Sequence, residues 1–119
     1  PNMLPTIDSE YLANQVSNFK KTYFQHVMDY GPTQHVNFML PFSEIKQATG
    51  RARITNNIVS LYESYLKLHG LQVLPNELGL MVTVNPKTLV LFGNESIAYN
   101  NARDAFRAKS MINGDVDGM

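Results

Sequence analysis

Cysteine and tryptophan are absent from this 119-residue chain. Without cysteine there is no disulfide, no thiolate nucleophile and no cysteine-ligated zinc, a composition that fits a cytoplasmic protein. Long apolar runs are missing too. No window approaches the roughly 20 residues of a membrane-crossing helix, and no basic-then-apolar leader is found, so neither a membrane partner nor secretion is expected. Net charge is absent: ten Lys plus Arg balance ten Asp plus Glu. That excludes a strongly cationic nucleic-acid coat and leaves local charge to set where a polyanion could dock.

Motifs of catalysis are equally scarce. The three histidines, His26, His35 and His69, fall on different predicted elements with no i, i+4 pair, so no metal site is expected. His69 at a helix end is expected to favour the dipole there. No phosphate loop, dinucleotide fingerprint or nucleophile elbow is present, so no cofactor is expected. Glu44, Glu63 and Asp104 are not brought together by any spacing, which leaves no acid–base pair and predicts no enzyme. Asp115-x-Asp117-Gly118 has the opening of a calcium loop but no twelfth-position glutamate, and reads as an acidic tail.

The apolar content suits one core. Residues 1–112 are expected to form a single domain, and 113–119 a flexible tail. A helix is predicted over 8–30, because Leu12, Val16, Phe19, Tyr23 and Val27 recur at helical spacing. Asp8 is its expected cap. Tyr11, Phe24, Met28 and Tyr30 widen its apolar surface, which predicts contact with two bodies, its own core and a second subunit. Val36, Phe38 and Leu40 alternate as in a strand. A short helix follows, capped by Ser43, with Ile45 and Ala48 facing in and Gly50 closing it. A longer helix over 54–69 keeps Ile54, Ile58, Leu61, Tyr62, Tyr65 and Leu68 in period, with Thr55 as cap. Gly70-Leu71 ends it in a Schellman turn, Leu71 folding back on Leu66. A hairpin is predicted over 80–92, its arms Leu80/Val82/Val84 and Leu89/Leu91, its turn Asn85-Pro86-Lys87-Thr88. A last helix is predicted over 94–112, capped by Asn94, with Ala98, Ala102, Ala105 and Phe106 as a thin apolar stripe.

The fold class is therefore α+β, in the order helix, strand, helix, helix, hairpin, helix. Over residues 35–92 this order resembles the winged helix-turn-helix superfamily of DNA-binding domains. Ser43–Gly50 looks like its positioning helix and turn glycine, and Ile54–Ser60 like the start of its recognition helix. Arg51-Ala52-Arg53 lengthens the turn beyond the usual pattern. The resemblance implies a winged helix-turn-helix-like domain with an additional C-terminal helix, binding double-stranded DNA. A groove-entering helix offers its first turns to base edges, Asn to adenine and Arg to guanine. Asn56, Asn57 and Ser60 stand there beside Thr55, and Lys46, Arg51 and Arg53 lie within 45–57, a span without acidic residues. Lys87, at the expected hairpin tip, would touch the neighbouring backbone. Helices 8–30 and 94–112 would join two subunits as a homodimer, a small transcriptional or replication regulator of phage or plasmid type. The alternative is an adaptor that binds another protein through its apolar first helix. Tyr62, Tyr65 and Tyr99 could stack single-stranded bases, but their helical spacing favours a core role.

Overall fold

An apolar stripe on a long helix needs a surface to cover it, and here the cover is a small sheet. The computed structural model describes residues 3–112. The acidic tail at 113–119 lies outside the described residues. The elements are α1 (Thr6–Tyr30), β1 (Val36–Pro41), α2 (Phe42–Thr49), α3 (Asn56–Leu68), β2 (Gln72–Pro75), β3 (Gly79–Val84) and α4 (Asn94–Ile112). The fold is α+β, and the strands form one antiparallel sheet in the order β1-β3-β2.

Leu12, Val16, Phe19, Tyr23 and Val27 are all buried, as their spacing predicts. They meet the inward residues of the sheet, Leu40 from β1 and Leu80, Val82 and Val84 from β3, together with Ile45, Ile58, Tyr62 and Leu66 from α2 and α3. Phe19 stacks on Phe38 with ring centroids 4.8 Å apart. Part of the wide apolar face of α1 is covered within the chain: Phe24 and Tyr23 touch Tyr99 of α4. The ion pairs Lys20–Glu95 and Asp29–Lys109 show that α4 runs parallel to α1.

Several expected boundaries move, each for a physical reason. The N-cap of α1 is Pro5, and Asp8 lies in the first turn, turned inward with no exposed surface. Ser43 does not cap α2: its N-cap is Pro41, and the Phe42 amide donates to the Leu78 carbonyl at 2.9 Å. Ala48 is exposed and Thr49 takes the inward position, its hydroxyl donating to the Ile45 carbonyl. α3 excludes Ile54, and its Leu68 points outward at 70% exposure. Glu95, not Asn94, holds the start of α4, its carboxylate accepting from the Phe92 amide at 2.8 Å.

The largest correction concerns the hairpin. It runs from Gln72 to Val84 and turns at Asn76-Glu77-Leu78, where the Asn76 side chain accepts from the Leu78 and Gly79 amides. The predicted second arm, Leu89 to Leu91, is not a strand. β3 has two edges; β1 occupies one and β2 the other, so no edge is left. The segment is tied instead to the end of α3: the Val90 amide donates to the His69 carbonyl and the Thr88 hydroxyl to that of Gly70. The turn at Asn85 does form, with the Thr88 amide donating to the Asn85 carbonyl.

Candidate nucleic-acid interface

The site begins where α2 stops. Gly50 takes the left-handed conformation (φ 75°) that an αL helix ending requires. Residues 51–55 then carry the chain to α3, where the Thr55 hydroxyl accepts from the Ile58 amide at 3.3 Å. That cap satisfies one of the free amides of the first turn. Thr55, Asn56, Asn57 and Ser60 are exposed, and so are Lys46 and Arg53. Two further residues share this outer face, Ser64 and Lys67, both exposed. The helical period from Ser60 pointed to them, since one turn is 3.6 residues. Glu63, half-buried, borders the face.

Arg51 points elsewhere. Its Nε and Nη2 donate to the two carboxylate oxygens of Asp8 at 3.0 and 2.6 Å. The Tyr62 hydroxyl donates to the same carboxylate at 2.6 Å. Hydrogen bonds from Arg51 hold the Asp8 carboxyl below its ordinary range against the opposing effect of burial. The phenol of Tyr62 is pushed up, first by burial and then by its bond to Asp8. Of the two guanidiniums near Thr55, one thus ties the segment between α2 and α3 to α1, and Arg53 is the one without an ion pair among the described residues.

Lys87 is exposed, but it is not at a hairpin tip. Its loop is bonded to His69 and Gly70, at the C-terminal end of α3. Arg53 precedes the N-terminal end, so the 13 residues of α3, roughly 20 Å, separate the two. The actual tip lies beside the start of α2 and carries Glu77 and Leu78, the latter 75% exposed. Glu44 is exposed in the first turn of α2. This end of the molecule is therefore acidic and apolar rather than basic.

Two other surfaces stand out. On the outer sheet face, register aligns Met39, Met81 and Leu74 in one apolar row across the strands. Between α1 and α4 runs a groove of about 530 Å³ lined by Lys21, Phe24, Met28, Ala98 and Ala105 among others. Tyr62 is buried, and Tyr65 and Tyr99 are partly buried against the core, as their helical spacing predicts. Among the described residues no three His, Cys, Asp or Glu gather as metal ligands, and no helix is long and apolar enough to cross a membrane. Comparison with known protein families, with curated proteins and with solved structures finds no match for this chain.

Proposed function

We propose that the chain binds duplex DNA as a winged helix-turn-helix-like module, with α3 as the helix that enters the major groove. One observation carries the reading. Asn56, Lys67, Ser60, Ser64 and Asn57 fall, in that angular order, on one continuous exposed polar face behind a capped N-terminus. The element order and the sheet order β1-β3-β2 support it. Asn56 and Asn57 have the bidentate chemistry for adenine, and Arg53 that for guanine. Lys46 and Lys67 would meet phosphate. With Glu77 at the hairpin tip, the wing carries no cation there for the phosphate backbone. A second copy would seat in the α1–α4 groove, giving the two half-sites of a small regulator.

The test is an anisotropy titration against pooled duplexes at two salt concentrations. The logarithm of affinity should fall with slope about −0.9 per phosphate neutralised, and Arg53→Ala should reduce that slope by about one contact. Arg51→Ala is the wrong probe, because it breaks an internal ion pair. Absence of binding at low salt would end the proposal.

The adaptor reading is favoured by a different observation. Leu74 is 69% and Leu78 75% exposed beside the Met39–Met81 row, and exposed apolar patches mark protein contacts. The first helix suits that role less, since most of its apolar face is covered by the core and α4.

A further inference from the structure

Lys20 lies in the middle of α1 with 1% of its side chain exposed. A buried ammonium must satisfy three N–H groups or lose stability. It finds three acceptors, each from a different segment: His69 Nδ1 at 2.9 Å, the Val90 carbonyl at 2.9 Å and Glu95 Oε1 at 2.8 Å. The Phe92 ring adds a cation–π contact, its centroid 5.2 Å from Nζ. One ammonium thus joins α1, the C-cap of α3, the loop before α4 and the first turn of α4.

Only one of the three acceptors is an anion. His69 serves by its lone pair, so Nδ1 is unprotonated and the ring hydrogen sits on Nε2. Protonating the imidazole removes that acceptor and places two cations 2.9 Å apart against one carboxylate. The groups facing His69 are Lys20 from α1, Glu95 from α4, Tyr65 from its own helix and the edge of Phe92 from the loop. Burial first and Lys20 second hold the imidazole below its ordinary 6.5, with Glu95 opposing. His69 therefore does not act as the dipole-favouring cation that its place at the helix end suggests.

We infer that the Lys20–His69–Glu95 cluster is an acid-operated latch, in which protonation of His69 frees the Val90–Glu95 segment and the start of α4 from α1 and α3. The sign follows from the depressed pKa. The neutral ring's contribution is complete above pH 6.5 and is lost as pH falls from there through the lower folded value. The latch stands apart from the DNA reading, because it joins the elements behind α3 and not its outer face.

The test is NMR on the full chain from pH 7 to pH 4.5. The expected results are an Nε2–H tautomer for His69, a midpoint below 6.5, and amide protection at Val90, Phe92 and Ser96 that falls by up to about tenfold per pH unit once intrinsic exchange is removed. Protection in β3 should hold across that range. In His69→Asn an amide oxygen can take the place of Nδ1 without titrating, and those three amides should stay protected. The latch is overturned by a flat profile in the wild type, by equal loss throughout the domain, or by the same loss in the Asn variant. Should that variant not fold, the wild-type ring decides: a midpoint at or above 6.5 overturns the latch.

Discussion

Asp8 has no exposed surface and accepts three hydrogen bonds, two from Arg51 and one from Tyr62. Removing Arg51 leaves a buried carboxylate with one partner, a change that costs about 3–5 kcal/mol in buried pairs. Arg51 is 24% exposed, so water can reach the gap and the low end applies. Arg51→Ala should lower stability by about 3 kcal/mol in urea unfolding; a loss under about 1 kcal/mol would show that the pair matters little. Both Asp8 and Glu95 have lowered pKa values. Their contribution is present above the ordinary 3.8 and 4.5 and is lost as pH falls through the lower folded values. Loss of the carboxylates' contribution should therefore begin at lower pH than loss of the His69 contribution, which begins below 6.5. Asp8 looked like a cap because a chain read in order shows only near neighbours. Arg51, 43 residues on, appears only when α1 and α2 pack.

Gly50 and Gly70 separate the cost of helix ends from the cost of crowding. Both take positive φ, 75° and 72°. A Cβ at Gly50 meets nothing within 4 Å, whereas at Gly70 it would lie 1.9 Å from the Thr88 carbonyl and 2.7 Å from the Val90 nitrogen. Gly50→Ala should cost about 1 kcal/mol, the price of a left-handed residue. Gly70→Ala should cost clearly more and loosen residues 88–92, measured by urea unfolding and amide exchange. Equal losses would remove the role given to that contact. The Schellman ending itself was readable, since Leu71 donates to the Leu66 carbonyl and Gly70 to that of Lys67 as the local pattern predicts. The hairpin was misread for the opposite reason. Leu89 and Leu91 alternate like a strand, but pairing depends on which edges are free, and β1 and β2 had taken both.

The molecule measures 53 × 29 × 21 Å, with α4 lying along α1. Ala102 is the one buried residue of α4 among the described residues, and Ile97 and Met111 are 59% and 62% exposed. A helix so lightly covered argues for a second copy in the groove. Sedimentation should give twice the chain mass, and Ala98→Glu, at an exposed groove position, should return the monomer without lowering its stability. A wild-type monomer at micromolar concentration would sink that proposal. Periodicity and local turn chemistry were enough to place the four helices, β1, β3, the α1 stripe, the Thr55 cap and the α+β class, because those depend on residues within a few positions of one another. Partnerships were not readable. Arg51 to Asp8, Lys20 to Glu95, and β2 rather than 89–91 on the edge of β3 join residues distant in sequence. Only packing brings such charges out of water and close enough to need one another.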